Sequence, residues 1–304
     1  MTAPADCVDV AIVGGGPAGL SAALVLGRCR RRVVVFDSGV YRNARAHAVH
    51  GFLTRDGIPP EELRRLARAE IGRYDAVEFR DALVNGVVRE NESSFVVHAE
   101  GRAPLTCRKL LLATGLIDEL PRIAGAEELF GDGVHSCPYC DAWEFRDKPL
   151  VSCDRGGSYS TTLLQWSREL VVCSNGPAQI DGELLRRFDA MGVAIDERPI
   201  ARFERDERHV RVIFEHGEAV RCRAVFVNAR CRPRSDLAAK LGCKMDEQGG
   251  VCVDRHESTS VPGVYVAGDA SRDALQAIVA AGEGAAAAMA INSALIRNGL
   301  ARDG

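Results

Sequence analysis

Val8-Asp9-Val10-Ala11-Ile12-Val13-Gly14-Gly15-Gly16-Pro17-Ala18-Gly19 decides the architecture: an apolar strand-like run passes directly into a G-x-G-x-x-G turn and then into a helical stretch, Leu20 to Leu26. A second strand, Arg32-Val33-Val34-Val35-Phe36, ends at Asp37, an acid 18 positions beyond the third glycine. In such a βαβ unit Gly14 permits the tight turn, Gly16 lets the backbone approach a pyrophosphate, and Gly19 lets helix pack on strand. Gly14, Gly16, Pro17, Ala18 and Gly19 are therefore candidate dinucleotide-binding residues, and the Asp37 carboxylate can accept from both ribose hydroxyls. A purely structural glycine turn explains the glycines alone; strand, helix, second strand and acid together favour a dinucleotide.

Two later stretches follow the same grammar. Lys109-Leu110-Leu111-Leu112-Ala113-Thr114-Gly115 is a short apolar strand ending in a small, turn-prone triplet, and by composition alone it is a buried parallel strand. Gly263-Val264-Tyr265-Val266-Ala267-Gly268-Asp269 is another, ahead of a helix from about Ala274 to Arg297 rich in Ala and Gly. Parallel sheets place ligands beyond the carboxyl ends of their strands, so Asp269 is positioned to meet a ligand hydroxyl and the following helix start offers N–H groups. A helix cap would explain Asp269 but not the repeated pattern.

The 304 residues are 46% apolar, which at roughly 150 residues per domain means about two domains with ordinary cores and excludes global disorder. Lys and Arg number 39 against 42 Asp and Glu, a formal charge of −3, so no basic field attracts nucleic acid or anionic lipid. Met1 to Asp9 has no Lys or Arg before its first apolar run, and no window approaches 18 unbroken apolar residues, which reads as a soluble cytoplasmic protein with no membrane partner. Nine of the eleven cysteines are scattered singly, mostly in strand-like contexts, as small buried hydrophobes, and so many thiols favour a reducing compartment.

The middle of the chain repeats the pattern. Pro149 to Cys153 reads as a strand, Ser160 to Arg168 as a helix, Glu169 to Cys173 as a strand, Glu183 to Met191 as a helix, and Val210 to Phe214 and Ala224 to Asn228 as strands. Cys137 and Cys140 form a C-x-x-C pair, whose spacing lets two sulfurs reach bonding distance across one turn, with helix N–H groups available to favour a thiolate. Half a zinc site and two core cysteines are the alternatives. A four-ligand zinc site needs a second close pair, which the sequence lacks, so no metal is expected.

In Gly14 to Gly19, Ala113-Thr114-Gly115, Cys137-Pro138-Tyr139-Cys140-Asp141, Thr259 to Asp269 and Gln276-Ala277-Ile278-Val279-Ala280-Ala281, taken in order, the chain resembles the low-molecular-weight thioredoxin reductase family of flavoproteins. The resemblance implies an α/β fold of two Rossmann-like domains of the three-layer ββα type. The FAD domain is discontinuous, residues 1–115 and 236–304, around a central pyridine-nucleotide-type domain, 116–235, that carries the redox pair; a homodimer is usual. It also implies that FAD meets Gly115, Gly268 and Asp269, with the flavin ring near Gln276, Ala277 and Ile278. Cys140 would lie against the flavin, Cys137 would exchange with substrate, and Asp141 matches the family's acid/base aspartate. An Asp capping a helix after the second Cys is the plain alternative. His135 can relay protons or be a solvated surface histidine.

One stretch departs from the family. The second glycine-rich turn reads Cys153-Asp154-Arg155-Gly156-Gly157-Ser158-Tyr159, with Asp154 in place of the first glycine and Tyr159 in place of the third small residue. This sets a carboxylate beside the pyrophosphate and bulk between helix and strand. The arginines that usually meet the NADPH 2′-phosphate are replaced by Ser174-Asn175-Gly176, so NADPH is disfavoured. Three readings follow. The first is a dithiol oxidase that passes electrons from a small dithiol through the redox pair and FAD to O₂, similar to the branch that closes disulfides in dithiolopyrrolone and epidithiodiketopiperazine natural products. Cys137 to Glu144 and Leu164-Gln165-Trp166-Ser167 resemble its bacterial members, although Ala142 stands where glycine is usual. The second is a reductase of a small disulfide or a thioredoxin-like protein, fed by ferredoxin or NADPH. The third is a flavin-binding redox sensor, against which the intact C-x-x-C-D argues.

Lesser features remain. His47, His50 and Phe52 fall where family members pass near the flavin ring, so His50 and His135 are candidate pocket residues, with satisfied loop histidines as the alternative. Arg28, Arg30, Arg31 and Arg32 form a solvated edge or a docking patch for ferredoxin, and Trp143 and Trp166 flank the redox pair or fill the core.

Overall fold

The structure, a computed structural model, describes residues 7–91, 94–271 and 274–303, so most of the N-terminal stretch read above for targeting lies outside it. The chain forms two compact units. One comprises residues up to 44, 52–117 and 232 onward; the other comprises 45–51 and 118–231.

In the first unit Val8–Val13 runs parallel to Val33–Asp37 on one side and to Leu105–Leu112 on the other, and the outer strand Val77–Asp81 and the late strand Val264–Val266 are also parallel. Ser94–Ala99 and Val84–Asn91 add an antiparallel hairpin. Buried on both faces, the parallel strands read as unbroken apolar runs. One face packs a cluster including Phe36, Phe95, Leu110, Leu112 and Leu237; the other packs Ile12, Leu111 and Val35 against helical residues such as Leu26, Ala287 and Ile291.

Two helices fill that second face through small residues. The helix Pro17–Arg28 starts on Pro17, extending the predicted span at both ends, and a Cβ on Gly284 of the C-terminal helix would sit 2.0 Å from Ala18 O. The C-terminal helix runs Ala277–Asp303, three residues later than expected at its start. Its Ala277–Leu300 stretch is long and apolar enough to cross a membrane by length and composition, yet Ala280, Ala287, Ala288, Ile291 and Leu295 are buried in this core.

The second unit holds five parallel strands in the order Ala194–Asp196, Leu170–Cys173, Leu150–Cys153, Ala224–Val227, Val134–His135. An antiparallel sheet of Ile200–Asp206, His209–Phe214 and Val220–Cys222 packs on one face through Phe203, Val212 and Phe214. The other face is covered by Leu163, Phe188 and Ala142. The helix expected over Ser160 to Arg168 spans Ser158–Leu163 instead and is followed by turns, because Trp166 and Ser167 hydrogen-bond back to Leu163 O as the chain turns toward the next strand. Cys107, Cys173 and Cys222 are buried as expected, but Cys29 is exposed at the C-cap of the first helix. Arg28, Arg30 and Arg32 are exposed, in keeping with a solvated edge, and Arg28, Arg31 and Arg32 bond Tyr74, Asn292 and the Cys7 carbonyl.

Candidate active site

The carboxyl ends of the first unit's strands come together. Gly14 N–H donates to Phe36 O, Ala113 N–H to Val13 O, and Ala267 N–H to Leu112 O, which gathers the glycine turn, Asp37, Gly115 and Gly268-Asp269 at one end of the sheet. Gly14 has φ +117° and a Cβ there would lie 2.2 Å from Ala113 O; at Gly19 it would lie 1.9 Å from Gly14 O. Those two glycines are required by the fold itself. Gly16 differs: a Cβ on it meets nothing within 4 Å. It is the N-cap of Pro17–Arg28, no side chain caps that helix, and no acid lies in its first turn. An open approach to uncapped N–H groups at a helix's positive end is the cradle that a pyrophosphate fills, so the residues fit a dinucleotide.

Asp37 is buried, and its Oδ2 lies over Gly15, where a Cβ would come within 2.0 Å of it. It accepts from Gly39 N–H, from Tyr41 Oη at 2.6 Å and from Arg68 at 2.7 Å. Burial, reinforced by the hydrogen bond to this carboxylate, pushes the Tyr41 phenol up to about 12. Asp269 is held by Arg42 at 2.9 Å. Tyr41, Arg42 and Arg68 were not legible in the sequence, because loop residues and a helix residue remote in sequence reach these carboxylates only in the fold. Gln276 precedes the C-terminal helix and accepts from Ala280 N–H, Ala277 opens it, and Ile278 is partly exposed on its first turn.

The Cys137–Cys140 pair lies in the second unit. Cys137 is the N-cap of the one-turn helix Pro138–Asp141, and the Cys140 and Asp141 N–H groups both turn back onto Cys137 O. Pro138 fixes the first helical residue, and the Cys137 and Cys140 sulfurs are bonded. Asp141 ends this turn and stands at the N-cap of the 3-10 turn Ala142–Phe145, but its side chain makes no cap hydrogen bond there. Ala142 is fully buried, its methyl joining the helix-side core, which accounts for a residue other than glycine there. Tyr139 and Trp143 are exposed beside the disulfide; Trp166 packs edge-on to Tyr139 and Arg146 lies over Trp143. His135 is not a solvated surface residue but is buried, with Nδ1 3.4 Å from Asp141 Oδ1. His50 lies 3.6 Å from Glu144, three residues after Asp141.

The degenerate turn shows a satisfied helix start. Asp154 is buried; its Oδ1 accepts from Gly156 N–H, and its Oδ2 accepts from Ser160 N–H at 2.9 Å and lies 3.1 Å from Ser160 Oγ. The helix begins at Ser158 with Gly157 as N-cap, so the residue packed on the strand is Ser160, whose Oγ lies 2.9 Å from Ser152 Oγ. Tyr159 packs against the helix-side core with Leu150, Phe226 and Leu163 and donates to Ser136 O, one residue before Cys137, and burial pushes its phenol up. Asp154→Ala should cost about 2 kcal/mol, because it strips the buried Ser160 N–H of its acceptor. Urea unfolding checks this, and an unchanged midpoint would show that the carboxylate does not hold the turn. In Ser174-Asn175-Gly176, Asn175 Oδ1 accepts from Ile200 N–H and Ser174 Oγ bonds Gly176 O, so both side chains serve the loop.

The sequence profile of the pyridine nucleotide-disulphide oxidoreductase family matches residues 8–285. The chain is 34% identical to thioredoxin reductase tcpT of Claviceps purpurea, over 87% of each chain. It is 32% identical to a probable thioredoxin reductase of Arthroderma benhamiae, over 89% of this chain and 76% of that one. Among solved structures, HlmI superposes with a TM-score of 0.93 at 36% identity over 99% of this chain and 96% of that one. Putative thioredoxin reductase TrxB of Bacillus anthracis gives 0.90 at 29% identity, over 96% and 99%.

Proposed function

Because the chain belongs to the pyridine nucleotide-disulphide oxidoreductase family and is an FAD-dependent disulfide oxidoreductase, we propose that it oxidises a small dithiol to a disulfide, with O₂ as terminal acceptor and no use of NADPH. The observation that carries this reading is the Asp154 carboxylate on the Gly156 and Ser160 N–H groups. It takes the donors that a nucleotide's pyrophosphate needs in the second unit, while Gly16 in the first unit stays open.

Gly14 to Gly19, Asp37, Gly115, Gly268-Asp269 and Gln276 to Ile278 would hold FAD, which when bound supplies the two-electron acceptor for the reduced cysteine pair. The chain's own residues carry the exchange. A substrate thiol gives its proton to the Asp141 carboxylate, and the resulting thiolate attacks Cys137 Sγ. The Cys137–Cys140 bond breaks and its electron pair goes to Cys140 Sγ. The second substrate thiol gives its proton to the Cys140 thiolate and attacks the substrate sulfur of the mixed disulfide, and Cys137 leaves as thiolate and takes the proton held by Asp141. The substrate has then lost two protons and two electrons, which suffice to reduce one O₂ to H₂O₂. The exposed Tyr139 and Trp143 give a flat apolar substrate a surface beside the exchanging sulfur.

Anaerobic flavin spectroscopy tests this directly. We expect dithiothreitol to bleach the bound flavin within seconds to minutes, NADPH and NADH to leave it oxidised, and admitted air to restore the colour with about one peroxide per dithiothreitol oxidised. Rapid bleaching by NADPH would reject the reading of Asp154 and return the enzyme to the nicotinamide-driven reductases. Reoxidation without peroxide would reject O₂ as the acceptor.

A further inference from the structure

His135 carries a buried nitrogen that the exchange chemistry has not used. It sits at the end of the strand Val134–His135, 6% exposed, with Phe145 and Phe226 ring centroids 5.1 and 5.6 Å away. Its Nε2 accepts from Gly133 N–H at 3.3 Å. A nitrogen that accepts carries no proton, so the neutral ring bears its proton on Nδ1. That Nδ1 is buried and makes no hydrogen bond; Asp141 Oδ1 lies 3.4 Å away without hydrogen-bond alignment. Leaving a buried N–H unpartnered is unfavourable, and a small rotation of the Asp141 carboxylate relieves it.

We propose that His135, as the Nδ1–H tautomer fixed by Gly133, donates to Asp141 Oδ1 and is the positioning residue that aims this carboxylate at the exchanging sulfurs. The inference rests on the reading of Asp141 as the acid/base group. The hydrogen bond holds one carboxylate oxygen so that the other faces the redox pair. The Gly133 N–H on its far nitrogen and the Phe145 and Phe226 rings beside it hold the imidazole in place.

The test uses FAD-loaded enzyme with dithiothreitol as the probe. His135→Phe should slow anaerobic flavin reduction on the order of tenfold with little change in half-saturating dithiothreitol, whereas His135→Asn, which keeps a side-chain N–H close to the Nδ1 position, should recover most of the rate. In an Asp141→Asn background, His135→Phe should add nothing. Long-range ¹H–¹⁵N spectra of histidine-labelled enzyme should show one ring protonated on Nδ1, lost in His135→Asn. If Asp141→Asn reduces as fast as wild type, the acid/base reading itself fails. If Asp141→Asn is slow but His135→Phe is not, or His135→Asn is as slow as His135→Phe, or the ring is protonated on Nε2, the positioning role is overturned. FAD content and urea midpoints of each variant separate these results from misfolding.

Discussion

Exchanging Cys140 for serine is expected to give a folded protein that binds FAD but is no longer bleached by dithiothreitol, with the anaerobic reduction rate falling at least about a thousandfold. The size of the effect follows from where the other thiols lie. Burial pushes Cys107, Cys173 and Cys222 up to about 12 and raises Cys153 well above the usual thiol value, with neighbouring thiols adding to the shift in Cys153. At neutral pH a thiol with a pKa near 12 is thiolate at the level of roughly 10⁻⁵, too little for exchange. The exposed Cys29 caps the far end of the first helix, remote in its unit from the glycine turn that begins that helix. No other thiol among these can replace the pair. Cys137→Ser should lose turnover as completely, since the exchanging sulfur is gone. A Cys140→Ser variant that dithiothreitol still bleaches at a tenth of the wild-type rate would show that reduction bypasses the disulfide.

Gly16→Val and Gly14→Ala should fail in different ways. Gly16 sits at φ −80° and ψ −175°, which valine adopts freely, and its Cβ would meet nothing within 4 Å among the described residues. The FAD-stripped variant should unfold within about 1 kcal/mol of the wild-type apoprotein, the difference reflecting valine as a poorer N-cap. Its FAD affinity should drop at least about a hundredfold, about 3 kcal/mol, because the side chain stands where the pyrophosphate must approach. Gly14→Ala instead forces a Cβ onto the Ala113 carbonyl at a positive φ and should destabilise the apoprotein by about 2–4 kcal/mol. Urea unfolding of stripped protein and calorimetric titration with FAD measure both quantities. Wild-type FAD affinity in Gly16→Val would remove the glycine turn as the binding site, and equal destabilisation by both variants would make Gly16 a structural glycine.

The parts of this protein that were legible in its sequence share one property: each is set by neighbours in the chain. Val8 to Val13 and Arg32 to Phe36 could be placed as strands because parallel strands buried on both faces need apolar residues at every position. The glycine turn, the C-x-x-C pair and the acid after it were readable because a tight turn and a four-residue disulfide are local geometry. The boundaries that moved, at Ser158–Leu163 and at Ala277, are helix ends, where backbone hydrogen bonds to the surrounding loops decide the last turn.

What the sequence by itself determined, then, is a pair of βαβ units, a glycine-rich turn in the first and a C-x-x-C pair with its following aspartate in the second, because these depend on spacing and on the conformations that glycine and proline permit. Only the tertiary structure decided which polar groups meet. It put Arg42 on Asp269, Arg68 on Asp37, the Asp154 carboxylate on a helix start that looked merely degenerate, and a buried His135 against Asp141. Those pairings join residues up to 227 positions apart in the chain. Each carboxylate or imidazole, once taken out of water, must find its partner among whatever the packing brings within reach, and residue order does not encode that neighbourhood.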